Sequence, residues 1–292
     1  MLLNGIEGRI EKNVSLKNLS TWRIGGTAEW VVWPKSVAEM EKLWRFSQQE
    51  NIPIRLIGRG SNLLFPDEGL KGITVVTTSL TSEVWGECSL QAEMGCSVAR
   101  LAQEAGEKGF SGLEFARGIP GTLGGAIVMN AGAHGGEIQN VLYKVMVLTE
   151  EGQIETLSKE ELTFGYRECS LRGKGWILAA ELKFKPGKIE TIKAQMAENL
   201  AKRKAAQPLE LPNAGSVFRN PPGDSAGKLI EQAGWKGKGI GGAQVASKHG
   251  NFIVNVGNAT AADVLALIQA IQRDVFEKYG VELRTEVHYM TS

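Results

Sequence analysis

The chain has 292 residues, with 33 Lys and Arg against 32 Asp and Glu and a formal net charge of +1. That length accommodates two or three cores of ordinary domain size, and so balanced a charge offers no overall field for a polyanion, which excludes nucleic acid as the expected partner. Cys88, Cys96 and Cys169 show no C-x-x-C spacing and cannot all pair within one chain, which points to a reducing cytoplasm.

No basic-then-apolar leader and no apolar run of about 18–20 residues is present, so a soluble, unprocessed protein is expected. His134, His249 and His288 are too widely spaced for a metal motif, so no metal is expected.

In chain order, Ser36 to Glu50 opens with S-V-A-E, a capping box that predicts a helix with Val37, Met40, Leu43, Trp44 and Phe46 toward one side. Ile52 to Ile57 reads as a short apolar strand that runs into G-R-G-S-N, Gly58 to Asn62. Ile73 to Thr77 predicts another strand, Ser97 to Lys108 an amphipathic helix, and Val141 to Thr149 a strand that turns at Glu151-Gly152. Lys188 to Gln207 predicts a long helix with Ile189, Ile192, Met196 and Leu200 apolar. After it come a helix near Ser225 to Ala233, the strand N-F-I-V-N-V, a helix from Thr260 to Tyr279 behind the capping box T-A-A-D, and a final strand V-E-L-R-T-E-V-H-Y. The expected class is α+β. Pro186-Gly187 breaks the pattern and suggests two domains, 1–187 and 188–292.

The chain carries 36 glycines, about 12% where roughly 7% is average. They concentrate at Gly58 to Asn62 and in the run G-I-P-G-T-L-G-G-A-I-V-M-N-A-G-A-H-G-G, Gly118 to Gly136. Glycines at a strand end let backbone amides approach a phosphate. A Rossmann site fails, because Leu63-Leu64-Phe65-Pro66 follows where a helix should start, and no G-K-[ST] supports a P-loop. By themselves the clusters mean close backbone approach, to a ligand or between strands. The segment L-P-N-A-G-S-V-F-R-N-P, Leu211 to Pro221, places Ser216 as a nucleophile, a turn-former or a proton donor.

Seven ordered motifs, T-W-R-I-G-G (Thr21 to Gly26), G-R-G-S-N-L-L, G-L-E-F-A-R-G-I-P-G-T-L-G-G-A (Gly112 to Ala126), M-N-A-G-A-H-G, F-G-Y-R-E-C-S (Phe164 to Ser170), N-A-G-S-V-F-R-N-P and the terminal T-E-V, together span nearly the whole chain. In this the sequence resembles the UDP-N-acetylenolpyruvoylglucosamine reductase family. The resemblance implies an FAD-binding fold of the vanillyl-alcohol oxidase/p-cresol methylhydroxylase type in two subdomains, followed by an α+β substrate-binding domain. It implies an NADPH-dependent flavoenzyme that reduces the enolpyruvyl ether of UDP-N-acetylglucosamine-enolpyruvate to UDP-N-acetylmuramate for peptidoglycan. Arg59, Gly60, Ser61, Asn62 and Leu63 would cradle the FAD diphosphate. Gly118, Pro120, Gly121, Thr122, Gly124, Gly125, Asn130, Gly132 and Ala133 would line the rest of the cofactor channel. His134 stands where the family often has tyrosine, and the short interval from Ala233 to Asn251 matches the subclass that lacks a substrate-covering tyrosine loop.

Hydride addition to the enolpyruvyl group builds enolate charge that a guanidinium can stabilise, and Arg167 in F-G-Y-R matches that role. The enolate then needs a proton at carbon. Ser216 is the matching donor; it lacks a G-x-S-x-G elbow and an indicated histidine, so acyl-serine chemistry is unsupported. Glu286 matches the family's terminal glutamate, beside the substrate carboxylate, although period-two spacing alone would leave it on a solvent face. Lys204 matches a diphosphate-binding lysine by its spacing to Ser216, with Arg219 and Asn220 as neighbours. A monomer is expected. The competing readings are an FAD oxidase or dehydrogenase acting on another substrate, and a non-catalytic nucleotide-binding protein.

Overall fold

The structure, a computed structural model, describes residues 5–291. Contacts divide the chain into two units: residues up to Glu11 with Val31–Arg59 and Ile73–Lys202, and Lys12–Trp30 with Gly60–Gly72 and the chain from Arg203 onward. Strands β1 (Arg9–Ser15), β2 (Thr27–Trp33), β3 (Ile54–Ile57) and β5 (Leu70–Val76) form a sheet in the order β1-β2-β5-β3, and β4 (Leu63–Leu64) lies between β3 and β5 in sequence. Strands β3 and β5 pair in parallel from Ile54↔Ile73 to Ile57↔Val76, as the intervening crossover requires.

In the first unit, helix α1 (Val37–Glu50) has the expected start, with the Ser36 hydroxyl accepting from the Glu39 N–H at 3.4 Å. The reciprocal half of the expected capping box is not made. The Glu39 carboxylate is buried and accepts instead from the Lys35 and Glu7 amides at 2.9 and 2.8 Å, which satisfies a charge that burial would otherwise penalise.

A second sheet is antiparallel, in the order β12-β11-β15-β7-β6, from β6 (Glu83–Gly86), β7 (Ser89–Glu93), β11 (Leu142–Leu148), β12 (Ile154–Ser158) and β15 (Trp176–Lys183). Helices α2 (Val98–Glu107) and α3 (Leu123–Val128) accompany it, with Val98, Leu101, Ala105, Leu123 and Ile127 buried. Three two-residue ladders complete the unit: β8 (Phe110–Ser111) with β16 (Lys185–Pro186), β9 (Gly132–Ala133) with β10 (Gly136–Glu137), and β13 (Phe164–Gly165) with β14 (Glu168–Cys169).

Helix α4 (Ile189–Ala206) stays with this unit as far as Lys202, beyond the expected cut at Gly187. Its buried Ile192 and Met196 lie so close to Gly106 of α2 that a Cβ there would stand 2.8 Å from the Met196 Cε. All three cysteines are free. Burial, reinforced by the Glu83 charge, pushes the Cys96 thiol up to about 11, so it is a core residue and a poor nucleophile.

The second unit contains β4, α5 (Ala226–Gln232), the antiparallel trio β17 (Gly239–Ile240), β18 (Ala243–Val245) and β19 (Ile253–Asn255), α6 (Ala261–Tyr279) and β20 (His288–Tyr289). The capping box expected for α6 is complete, with Thr260 and Asp263 exchanging side-chain-to-backbone bonds of 3.0 Å. Asp67, just past the first glycine cluster, adds a second carboxylate there and accepts from Ala261 and Ala262 at 2.8 and 3.0 Å, where the helix dipole favours negative charge. The core gathers Trp22, Leu64, Phe218, Ile230, Leu267, Ile271 and Val275.

The motif T-W-R-I-G-G is explained by this core. The Trp22 ring is fully buried, and its indole N–H donates to the Ile253 carbonyl at 2.8 Å.

The final strand expected over Val281 to Tyr289 is a correction. Only His288–Tyr289 is regular strand, paired in parallel with β4, while Thr285 makes an isolated bridge to Phe218. Leu283 and Val287 are buried but Thr285 is exposed. The backbone here is shared between two partners, first the serine segment and then β4, and a chain that changes partners cannot hold one regular ladder.

Candidate functional site

Ser216 lies in a segment without regular secondary structure, half-exposed between buried Ala214 and buried Val217 and Phe218. The backbone is held on both sides of it. On one side the Asn213 carboxamide oxygen accepts from the Gly215 N–H at 2.9 Å, and the same amide donates to the Pro208 and Leu211 carbonyls. On the other, the Val217 N–H donates to the Asn251 carbonyl at 2.9 Å. Asn251 is buried, and its side chain both accepts from the Phe218 N–H at 2.9 Å and donates to the Phe218 carbonyl at 2.8 Å. Among the described residues no base bonds to the Ser216 hydroxyl, an arrangement unlike that of an activated nucleophile.

Glu286 is drawn to this segment by its backbone. Its N–H donates to the Val217 carbonyl at 2.8 Å, and the Arg219 N–H donates to the Arg284 carbonyl at 2.9 Å. Period-two spacing left Glu286 on a solvent face; the residue is half-buried. The first glycine cluster joins the same group. The Asn62 side chain donates to the Glu286 carbonyl at 3.1 Å, its own carbonyl accepts from His288 at 3.0 Å, and Leu63 pairs with His288. Thus Asn62, Leu63, Ser216 and Glu286, which stand far apart in sequence, occupy one hydrogen-bonded neighbourhood of the second unit.

Of the residues expected at the substrate diphosphate, Lys204 is exposed at the end of α4, and its carbonyl accepts from the Lys248 ammonium at 2.7 Å. Arg219 is half-exposed beside the serine segment. The Asn220 side-chain oxygen accepts from the Ala226 N–H at 3.1 Å, which caps α5, where Ser225 makes no side-chain cap.

In the first unit, Arg167 occupies the turn between β13 and β14 at φ +59 and is half-exposed. A positive φ at a residue other than glycine is uncommon and persists where its surroundings hold it. Asn130, expected to line the cofactor channel, provides one such tie. Buried, it donates to the Gly165 carbonyl at 3.1 Å and to Glu137 at 2.9 Å, and accepts from the Gln139 N–H at 3.3 Å. Its side chain therefore braces the arginine hairpin.

His134 and Gly135 form the turn between β9 and β10 with φ +52 and +82, values that suit the twist of a tight hairpin. His134 is exposed and borders an open groove of about 530 Å³ along α4 with Thr191, Gln195, Glu198 and Lys202. None of the expected catalytic residues lines that groove.

The glycines divide by what their missing side chains admit. A Cβ on Gly60, at φ +62, would stand 2.0 Å from the Leu19 carbonyl oxygen, on Gly124 3.1 Å from the Met94 Cβ, and on Gly132 2.7 Å from the Gly136 carbonyl oxygen. Those three are small because protein fills the space. Gly125 differs: it is exposed between buried Gly124 and Ala126, and a Cβ there would meet only the Thr122 hydroxyl, at 3.5 Å. Thr122 itself is buried and caps α3 by accepting from the Gly125 N–H. Pro120 is likewise exposed, and Gly118, Gly121 and Ala133 are half-exposed, so this run of small residues presents backbone at the surface. Such a surface fits a flat, phosphate-bearing cofactor. Within the first cluster Arg59 is exposed and Ser61 half-exposed. Among the described residues no group of three or more His, Cys, Asp or Glu could hold a metal ion.

Sequence reasoning missed Asn213 and Asn251. Their only signal was asparagine flanking a glycine-serine step and heading an apolar strand, which does not reveal a partner 33 residues away.

Comparison with known proteins finds two families. Residues 28–158 match the FAD binding domain, and residues 207–290 match the UDP-N-acetylenolpyruvoylglucosamine reductase C-terminal domain. The chain is 46% identical over 282 residues to the UDP-N-acetylenolpyruvoylglucosamine reductase of Caldanaerobacter subterraneus subsp. tengcongensis, covering 96% of this chain and 93% of that protein. It is 46% identical over 284 residues to the reductase of the same name from Bacillus licheniformis, with the same coverage. The crystal structure of UDP-N-acetylenolpyruvylglucosamine reductase (MurB) from Thermus caldophilus superimposes with a TM-score of 0.84 at 36% identity, over 97% of this chain and 100% of that one. The α+β class and the FAD-binding fold expected from the sequence are borne out.

Proposed function

The chain belongs to the UDP-N-acetylenolpyruvoylglucosamine reductase family, and from that premise we propose that Arg167, Ser216 and Glu286 divide its chemistry among them. The protein is an FAD-dependent oxidoreductase that uses NADPH to reduce the enolpyruvyl ether of UDP-N-acetylglucosamine-enolpyruvate to UDP-N-acetylmuramate, a peptidoglycan precursor. When bound, FAD accepts electrons from NADPH and supplies hydride to the terminal carbon of the substrate.

The protein's own residues manage the charge and the proton. Arg167 offers a permanently charged, fork-shaped donor to the substrate carboxylate, where enolate charge accumulates. Ser216 donates its hydroxyl proton to the carbon that carries the ether oxygen; the recipient is strongly basic, so a weak acid suffices. Glu286, in its protonated form, donates a hydrogen bond to the same carboxylate. Arg59 to Leu63 and the open backbone around Gly125 hold the cofactor, and Lys204, Arg219 and Asn220 serve the nucleotide end of the substrate within a carboxy-terminal region spanning 188–292. The enzyme acts as a cytoplasmic monomer, without nucleic-acid or membrane partners; among the described residues no helix is long and apolar enough to cross a membrane.

The observation that carries the reading is the backbone pairing that sets Ser216, Glu286 and Asn62 side by side in one unit. The test is anaerobic mixing. NADPH should bleach the flavin absorbance, and the enolpyruvyl substrate alone should restore it. Recovery with an unrelated oxidant but not with this substrate would favour an oxidase or dehydrogenase of the same fold, and a protein without flavin colour would be a nucleotide-binding module.

Within that assay Glu286→Ala is expected to slow recovery by about 10- to 100-fold, the range of one lost charge-assisted hydrogen bond. Glu286→Gln, which keeps a donor, should regain part of the rate. Full-rate recovery in Glu286→Ala would leave Glu286 only its backbone bonds to Val217 and Asn62.

A further inference from the structure

Ser216 is a half-exposed residue on an irregular segment, a poor support for a proton donor unless something else holds it. Misplacing a catalytic group by about 1 Å can cost on the order of 100-fold in rate. The structure supplies the support through two asparagines that the chemistry does not use. Before Ser216, the Ala214–Gly215 peptide is anchored by the Gly215 N–H on the Asn213 side chain, and after it the Ser216–Val217 peptide by the Val217 N–H on the Asn251 main-chain carbonyl, each at 2.9 Å. Asn251 also grips both backbone groups of Phe218, at 2.9 and 2.8 Å, as a strand partner would. Its own N–H donates to the His249 Nδ1 at 3.1 Å, which fixes the backbone from which the grip is made.

The Val217 peptide carries the arrangement further. Its carbonyl accepts from the Glu286 N–H at 2.8 Å, and the Glu286 carbonyl accepts from Asn62 at 3.1 Å. Asn251, Val217, Glu286 and Asn62 therefore form one unbroken series of hydrogen bonds.

We propose that Asn251 and Asn213 are positioning residues: the Asn213 side chain holds the Gly215 N–H on one side of Ser216, the Asn251 side chain holds both backbone groups of Phe218 on the other, and together they fix the segment that carries Ser216 and its separation from Glu286. The proposal rests on the reading of Ser216 as the proton donor. Asn251 is buried, and both ends of its carboxamide are bonded to Phe218. Its effect is confined to the step in which Ser216 acts. Loss of a merely structural asparagine would instead lower flavin content and both half-reactions together.

The experiment uses the FAD-loaded enzyme and stopped-flow measurement of flavin reduction by NADPH and of reoxidation by the enolpyruvyl substrate, in H2O and in D2O. Asn251→Ala, Asn213→Ala and Ser216→Ala are compared with the parent protein, each normalised to bound FAD. Asn251→Ala is expected to slow reoxidation about 100-fold and Asn213→Ala about 10-fold, scaled from the cost of misplacing a catalytic group. Reduction should stay within about twofold, and the solvent isotope effect on reoxidation should rise as proton transfer becomes the slow step. If Asn251→Ala does not fold, Asn213→Ala decides, since Asn213 is only half-buried and its loss is tolerable. Slow reoxidation in Ser216→Ala with parental rates in the folded asparagine variants overturns the clamp alone. Parental reoxidation in Ser216→Ala overturns the donor reading and the clamp with it. Equal losses in both half-reactions of an asparagine variant also overturn the clamp.

Discussion

Ser216→Ala is expected to lower the rate of flavin reoxidation by the enolpyruvyl substrate by about 1,000-fold, within the usual range for loss of a general acid, while reduction by NADPH changes by less than about twofold. The asymmetry follows from where the proton is needed. Reduction of the flavin requires no protonation of substrate carbon, whereas product cannot form until the enolate carbon receives a proton. The residues immediately beside Ser216 carry no second proton donor: Ala214 and Gly215 precede it, and Val217 and Phe218 follow it. Removal of one hydroxyl from a half-exposed position should cost little stability, so thermal unfolding and FAD content should match the parent. Equal slowing of both half-reactions would show that the serine shapes the loop and transfers no proton. Ser216→Cys offers a further check, since a thiol at the same place should restore part of the reoxidation rate.

The second large effect is on stability. Trp22→Ala should destabilise the second unit by about 3–5 kcal/mol, the usual cost of truncating a large buried aromatic. The indole is wholly buried and packs in the core that contains Leu64, Phe218 and Ile253. The same substitution strands the Ile253 carbonyl, which accepts the indole N–H at 2.8 Å, and an unpaired buried acceptor adds about 1–3 kcal/mol. Set against a total stability of about 5–15 kcal/mol for an ordinary domain, the loss is large enough to shift the urea midpoint sharply. Trp22→Phe separates the two contributions, because it keeps most of the apolar surface and loses only the bond; its cost should fall near that second, smaller value. A Trp22→Ala protein with a parental midpoint would mean that the ring does not hold this core.

The effect should reach the chemistry as well. Strand β19, which receives the indole bond at Ile253, also bridges Asn213 through Val254. Asn255, at the end of that strand, donates to the Trp22 carbonyl at 3.1 Å. The motif T-W-R-I-G-G, through Trp22, thereby supports the segment that carries Ser216.

Local elements were legible because their signals are local. Helices α1, α2, α4 and α6 follow from apolar spacing and capping residues, and α6 has both halves of the box written in T-A-A-D. The central strand β15 was not read, since a register shift against β11 between Ile177 and Ala179 leaves adjacent Ile177 and Leu178 both buried and breaks the alternation of W-I-L-A-A-E-L-K. The capping box at Ser36 was half right, because Glu39 found better partners in Lys35 and Glu7. The glycine clusters were visible as places of close backbone approach, yet only their neighbours show that Gly60 makes room for Leu19 while Gly125 faces open space.

By itself, then, the sequence determined the α+β class, the helices and, through seven ordered motifs, the family. Motif residues are single-chain facts that need no partner to be read. The tertiary structure decided what surrounds them. Asn251 lies 33 residues from the Phe218 it grips, and Asn62 lies 224 residues from the Glu286 it holds. Hydrogen bonds across such distances leave no periodicity in the chain, because they depend on which backbones the packed core brings within 3 Å or so of each other.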